Sequence, residues 1–147
     1  MPQQQDACTL LDEDHNKVAR LFEQYKSAHD ASRQRLLASE ICQELLVHMQ
    51  IEDEIFYPAF LRATSDSYRV QDSEREHQEA REMIARLEKQ PTDAHLMLEL
   101  EDAILHHVND EREKMFPEAR KAKGLDLMGL AQQLEARKME LMAAHPA

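Results

Sequence analysis

Apolar residues recur at steps of three and four along almost the whole chain, and this spacing predicts α-helices throughout. The first helix is predicted to begin near Thr9, which can cap it together with Asp12, and to end within residues 27–32. The second is predicted to end near Tyr57-Pro58, because a proline disfavours helical geometry in the residue before it. These two helices are expected to form one hairpin.

A second hairpin and a further helix follow, with similar breaks between them. The third helix is predicted between the polar stretch 64–67 and Pro91. The fourth is expected to be capped by Thr92 and to end at Phe116-Pro117. A fifth, shorter helix is predicted over about residues 125–143.

Taken together, the elements predict one all-α domain over residues 1–147. Its core is an antiparallel up-down four-helix bundle at about 9–117, with an additional C-terminal helix that covers the bundle or forms a dimer contact. Only 2 of the 147 residues are glycine, which disfavours the many tight turns of sandwiches and barrels.

Composition excludes several classes of function. The net charge of −11 argues against nucleic-acid binding, because a phosphate-binding face needs clustered Lys and Arg. There is no apolar run of roughly 18 residues and no basic-then-apolar N-terminus, so we expect neither membrane association nor secretion, and a cytoplasmic location. Cys8 and Cys42 are too few for a disulfide framework and are expected to be reduced thiols.

Polar residues interrupt the apolar stripes of the four bundle helices at one level. Two of these helices carry a single histidine, and the other two carry a histidine followed four residues later by a glutamate. Residues four apart lie on the same helical face, so each such pair points into the core. The residues concerned are His15 and His77, then His48 with Glu52, and His107 with Glu111.

An internal repeat relates the two hairpins. The segment that begins at His48 overlays the segment that begins at His107 when it is displaced by 59 residues, and each copy ends in an aromatic residue followed by proline. The first and third helices match more weakly, around His15 and His77. Two similar hairpins form a bundle with approximate twofold symmetry, in which both sets of histidines and glutamates can point at the centre.

Two buried glutamates and four buried histidines would destabilise a small domain unless a cation lay between them. Imidazole and carboxylate groups are ligands of non-haem iron, so the constellation predicts a metal site. The alternative is a plain bundle whose histidines are hydrogen-bonded core residues. A lone core histidine favours that alternative, but two copies of the same motif in register favour the metal.

The same residues resemble the hemerythrin-like domains of the HHE cation-binding family over about residues 10–117. The resemblance implies a di-iron centre with two bridging glutamates and an oxo or hydroxo bridge, although other divalent metals could occupy it. The ligands that it implies are His15, His48, Glu52, His77, His107 and Glu111.

The chain departs from the family pattern at Arg81, where a second histidine of the third helix is expected. A guanidinium does not deprotonate in proteins, so Arg81 cannot replace imidazole as a ligand. It is expected to lie against a bridging carboxylate or to swing out and leave one iron open. Water, peroxide, Tyr25 or Glu74 could then fill the vacant position.

Four functions are consistent with these residues. The first is a binding or sensing module for oxygen, nitric oxide, redox state or iron, acting alone, as a homodimer or through another protein. The second is an enzyme that acts on peroxide or another small oxygen or nitrogen species. The third is storage or carriage of metal or oxygen, which Arg81 disfavours. The fourth is a metal-free structural bundle.

Overall fold

The computed structural model describes residues 5–144, and every regular element within them is helical. Five helical rods are present, two of which contain a short π-helical segment. In chain order the elements are α1 (Ala7–Ser27), α2 (Ala31–Ile51), π1 (Glu52–Phe56), α3 (Tyr57–Thr64), α4 (Ser67–Lys89), α5 (Ala94–Asp110), π2 (Glu111–Met115), α6 (Phe116–Lys121) and α7 (Leu127–Ala144). The predicted helical bundle with an additional C-terminal helix is confirmed.

Aspartates begin the rods. Each accepts a hydrogen bond from the backbone N–H three residues further on, which satisfies one of the free donors of a helix N-terminus. These residues are Asp6, Asp30, Asp66, Asp93 and Asp126. The predicted caps Thr9 and Thr92 are therefore wrong. Asp6, three residues before Thr9, caps α1, which begins at Ala7, and Asp93, next to Thr92, caps α5.

Two rods continue through a proline at which the sequence predicted an end. The backbone N–H of Tyr57 bonds to the carbonyl of Glu52, five residues before, and that of Phe116 bonds to the carbonyl of Glu111. Pro58 and Pro117 follow these wide turns at once. A proline breaks an α-helix by a missing donor and a clash with the carbonyl four residues earlier, and a wider turn relieves that clash.

The apolar core is divided into two clusters. One cluster is built from α1, α2, α4 and α5, between Val18 and Val108. The other lies toward the opposite end and includes Leu11, Phe56 and Leu134. The polar residues of the interrupted stripes lie between the two clusters along each helix.

The helix α7 packs against α1, α2 and π1, so it covers one side of the bundle as expected. A dimer contact through α7 stays a prediction. None of the helices in the part of the chain that the structure describes is long and apolar enough to cross a membrane. Cys8 and Cys42 are buried free thiols, and burial raises the pKa of each to about 12.

Candidate metal centre

The six side chains singled out in the sequence meet in one buried layer. The four histidines come from α1, α2, α4 and α5, and each glutamate is the first residue of a π-helical segment. None is more than 7% exposed: His15, His48, Glu52, His77, His107 and Glu111. Burying so many titratable groups together is unfavourable unless their charges are compensated.

Their donor atoms form two groups that share Glu52, and the atoms of each group lie within 4.8 Å of one another. Glu52 Oε1 lies 3.3 Å from His48 Nε2 and 3.1 Å from His77 Nε2. Glu111 Oε1 lies 3.1 Å from His15 Nε2 and 3.4 Å from His107 Nε2. Each carboxylate therefore lies between histidines of both groups, which is the arrangement that two neighbouring cations need.

Several of these donor atoms have no hydrogen-bond partner, although the distances between them are short. Buried polar atoms are almost always paired, and an unpaired one costs roughly 1–3 kcal/mol. Among the described residues the unpaired buried side-chain atoms are His15 Nε2, His48 Nε2, Glu52 Oε2 and Glu111 Oε1. All four belong to the candidate centre, so cations bound between them would satisfy them together.

The opposite ring nitrogen of every histidine is held by a carboxylate. Donation from Nδ1–H fixes the tautomer and leaves the Nε2 lone pair free for a metal. The pairs are His15–Asp12 at 3.0 Å, His48–Asp14 at 3.1 Å, His77–Asp53 at 2.9 Å and His107–Glu76 at 2.8 Å. Ordinary core histidines have no reason to share this pattern, whereas metal ligands commonly do.

Each of these four carboxylates also contacts a basic side chain further from the centre. Those side chains are Arg112 at Asp12, Lys138 at Asp14, Arg81 at Asp53 and His106 at Glu76. Periodicity along the chain does not predict these outer contacts. The carboxylates and basic side chains lie on different helices, so their contacts depend on how the helices pack against one another.

Tyr57 also lies at the candidate centre, although the helical periodicity did not predict it there. Its buried hydroxyl lies 3.1 Å from His77 Nε2 and 3.3 Å from His107 Nε2. It also lies 3.3 Å from Glu52 Oε1 and 3.0 Å from Glu111 Oε2. The hydroxyl therefore lies on the side of the centre formed by His77 and His107.

The π-helical segment explains how Tyr57 reaches the centre. In an α-helix, residue 57 would lie about 140° around the axis from residue 52 and point away from it. Five residues in π1 make little more than one turn, which brings Tyr57 back to the face of Glu52. The repeated aromatic-proline pair after each glutamate was the available signal for this deviation.

Electrostatics favour a cation between the carboxylates. Burial opposes a charge on His48, but Glu52 and Asp14 outweigh it and raise its pKa to about 10. Burial would raise the pKa of Glu52, yet His48 and the other groups around it hold that pKa well below its usual value. The pKa values of His77 and His107 are likewise raised against burial by neighbouring carboxylates. Without metal, protons therefore compensate the glutamates.

Arg81 does not lie against Glu52 or Glu111 but contacts Asp53. Its guanidinium donates to Asp53 Oδ2 at 2.5 Å, and the other oxygen of Asp53 holds His77. Neither proposed substitute lies at the centre: the Tyr25 hydroxyl donates to the carbonyl of Pro91 at 2.8 Å, and Glu74 is exposed. The expectation that Tyr25 or Glu74 fills the vacant ligand position is therefore wrong.

The remaining candidates lie outside the buried layer. His106 is exposed and flanks Glu76, as its position one residue from His107 indicates. His29 and His95 are exposed, and so are the side chains of Glu54 and Glu113. His145 lies outside the described residues.

Comparison with known proteins gives one family and one similar solved structure. The family model described as Hemerythrin HHE cation binding domain matches residues 6–119, which include all six predicted ligands. The crystal structure of a Hemerythrin HHE cation binding domain-containing protein from Mycobacterium kansasii is similar, with a TM-score of 0.80 and 22% identity. The alignment covers 95% of this chain and 89% of that one, and at this identity it shows the fold alone. A search of curated proteins gives no match.

Proposed function

Because this chain belongs to the hemerythrin HHE cation-binding family, as its motifs predicted, we propose that it holds two iron ions in the buried layer. We further propose that the pair binds or senses a small oxygen or nitrogen species such as oxygen or nitric oxide. The observation that carries the proposal is the set of four unpaired donor atoms in one buried cluster. Without metal these atoms have no hydrogen-bond partner, and protons on the histidines are left to compensate the glutamates.

The geometry supports a division of the ligands between two ions. One ion would be held by His15 and His48, and the other by His77 and His107, with Glu52 and Glu111 reaching both. Tyr57 adds an oxygen on the side of His77 and His107. This oxygen would give the second ion a ligand in place of the histidine that the family pattern has where this chain has Arg81.

The donor types support iron. Imidazole nitrogen and carboxylate oxygen without sulfur suit iron, while zinc and other divalent ions compete for the same donors. Bound iron would supply a change of oxidation state and coordination positions for a small ligand. The protein's own part is to hold each Nε2 lone pair inward through the carboxylates on Nδ1 and to exclude bulk water with the apolar clusters at either side.

Reconstitution with iron under anaerobic conditions tests the ligand set. We expect about two iron ions per chain by elemental analysis, as in other di-iron helix bundles. His48→Ala and His107→Ala, one from each group, should each reduce the iron content, while the exposed His29→Ala should not. No more than one iron in the saturated wild-type protein would contradict a dinuclear centre.

Ligand binding is tested separately by titrating azide and nitric oxide into the loaded protein. A saturable change in the optical spectrum is expected, and it should be altered in His107→Ala. A loaded protein whose spectrum responds to neither molecule would contradict the binding or sensing role while leaving the metal centre in place.

One observation favours a second candidate function, the breakdown of peroxide. Burial and the two glutamates raise the pKa of Tyr57 well above its ordinary value, so its hydroxyl keeps a proton at neutral pH. It lies 3.0 Å from Glu111 and could pass that proton within the centre. Turnover of peroxide by the loaded wild-type protein that falls sharply in Tyr57→Phe would favour the enzyme over the sensor.

A further inference from the structure

A third cluster of metal-ligand types lies at the surface, next to the buried layer. It consists of Glu76 on α4 with His106 and Asp110 on α5, and its donor atoms lie within 4.8 Å of one another. His106 Nε2 is 3.3 Å from Glu76 Oε2 and 3.5 Å from Asp110 Oδ2. His106 and Asp110 are four residues apart and therefore lie on one helical face.

The internal repeat shows what this position holds in the other hairpin. Asp14 corresponds to Glu76, and each carboxylate holds the ring of the histidine that begins its repeat. The second oxygen of Asp14 accepts a hydrogen bond from the ammonium group of Lys138 on α7. The positive charge of Lys138 thus lies at the outer oxygen of Asp14.

No lysine takes that place at Glu76 among the described residues, and different side chains surround it. The positions that correspond to His106 and Asp110 are Val47 and Ile51, which are buried in the apolar cluster that also contains residues of α7. His106 is instead 70% exposed. Where one hairpin has an apolar surface and a lysine from α7, the other therefore has two polar ligand types open to water.

We propose that Glu76, His106 and Asp110 form a third, solvent-facing site for a divalent cation such as Zn²⁺, Fe²⁺ or Co²⁺. A zinc ion with bonds of about 2.0–2.2 Å in tetrahedral geometry separates its ligand atoms by roughly 3.3–3.6 Å. The distances from His106 Nε2 to Glu76 and to Asp110, 3.3 and 3.5 Å, fall in this range, and all three ligand atoms lie within 4.8 Å of one another. Water would complete the coordination.

The site would be joined to the buried layer through one carboxylate. Glu76 Oε1 holds His107 Nδ1 at 2.8 Å, while Glu76 Oε2 faces His106. A cation there would hold Glu76 as Lys138 holds Asp14. The ammonium group of Lys114 lies 3.7 Å from the other oxygen of Asp110 and would repel a cation, but its side chain is 56% exposed and can turn away.

Titration of the iron-loaded protein with Zn²⁺, followed by calorimetry, tests the proposal, with Co²⁺ as an optical probe. We expect the wild-type protein to bind one further equivalent, and His106→Ala and Asp110→Asn to lose it. His95→Ala is the matched control, because His95 pairs with Glu99 at the same four-residue spacing on the same helix but belongs to no three-ligand cluster among the described residues. A wild-type protein that binds no further Zn²⁺, a His106→Ala variant that still binds it, or an equal loss in His95→Ala would overturn the proposal.

Zn²⁺ binding at the surface cluster can be distinguished from iron binding in the buried layer. His48 belongs only to the buried layer, so His48→Ala should lower the iron content and leave the Zn²⁺ binding that depends on His106 unchanged. If the buried layer held no iron, Zn²⁺ could enter it as well, and the surface site would be read from the difference in bound Zn²⁺ between the wild-type protein and His106→Ala.

Discussion

Tyr57 and Phe116 occupy equivalent positions in the two halves of the repeat, directly after the π-helical segments. The tyrosine brings a hydroxyl to His77 and His107. The phenylalanine stacks on His15, with ring centroids 6.1 Å apart and ring planes 15° apart. At this position the two halves of the centre therefore differ by a single oxygen atom, and the role of that atom can be measured.

The first prediction concerns that hydroxyl. If Tyr57 binds iron, the ferric protein should show a visible absorption band from charge transfer between the phenolate and the metal. Tyr57→Phe should abolish this band while keeping most of the bound iron, because the six other ligands remain.

Tyr25→Phe is the matched control, since this buried tyrosine donates to the carbonyl of Pro91 and lies away from the ligands. The band should survive in that variant. If it persists in Tyr57→Phe, the hydroxyl is a hydrogen-bond donor and not a ligand.

The second prediction concerns Arg81, whose guanidinium holds the carboxylate behind His77. Burial opposes ionisation of Asp53, but His77 and Arg81 outweigh it and hold the pKa of that carboxyl below its ordinary value. This contribution is present above the unfolded pKa and is lost as the pH falls. Without the guanidinium the carboxyl should protonate at a higher pH, so Arg81→Gln should release metal at a higher pH than the wild-type protein.

Metal content measured across an acid titration checks this expectation. Arg86→Gln makes the same change of charge on an exposed position of the same helix and should behave like the wild-type protein. Equal release curves for the two variants would show that Arg81 acts through net charge alone.

At the scale of the elements, the existence and order of the helices were predictable because each carries a sustained apolar stripe. The residues at which the helices end were harder to predict. The rule that proline stops a helix failed at Pro58 and Pro117, because a π-helical turn before each proline removes the clash on which the rule depends. An α-helical projection of the sequence cannot show this turn, and it therefore hid Tyr57.

The third prediction concerns α7, which is joined to the centre through one side chain. Lys138 is 27% exposed and binds Asp14, which in turn holds His48. Lys138→Met should lower the stability of the loaded protein by about 2 kcal/mol, the usual size of a hydrogen bond between charged groups that are partly buried. It should also weaken metal binding.

Arg137→Gln is the neighbouring control. Arg137 binds Glu54, an exposed residue that also accepts a hydrogen bond from Gln50, and surface pairs of this kind contribute roughly 0–1 kcal/mol. Thermal melts and metal competition on both variants provide the measurement. Equal metal affinity in the two variants would mean that α7 only covers the bundle.

At the scale of the whole molecule, the candidate ligands were predictable and their supports were not. Residues four apart on one helix must share a face, and the 59-residue repeat is enough by itself to place His48 and His107 in register. Asp53, Glu76 and Lys138 contact their partners across helices, so their roles depend on tertiary packing that periodicity does not encode.

The fourth prediction concerns the protons that the metal replaces. Because the pKa of His48 is raised to about 10, a bound proton stabilises the metal-free fold below the ordinary histidine pKa, and this stabilisation is lost as the pH rises toward 10. A metal needs the same Nε2 lone pair and must displace that proton. Metal binding near neutral pH should therefore release protons, and the gap in melting temperature between loaded and metal-free protein should widen from about pH 6 to pH 8.

Calorimetry in buffers with different enthalpies of ionisation measures the protons released, and thermal melts across the pH range measure the gap. His29→Ala, which changes an exposed histidine, should leave both unchanged. Binding heats that do not depend on the buffer would contradict this account.

The division of the core into two clusters has a consequence for cooperativity. Each cluster is apolar, and the layer between them contains the buried side-chain atoms that lack a hydrogen-bond partner among the described residues. Loaded protein should unfold in a single transition, because the ions bind all four helices of the bundle at once. Metal-free protein should lose that connection, so the end around Phe56 and Leu134 should exchange its amide hydrogens at a different rate from the end around Ile41 and Leu100. Metal would then determine whether this chain behaves as one folding unit or as two.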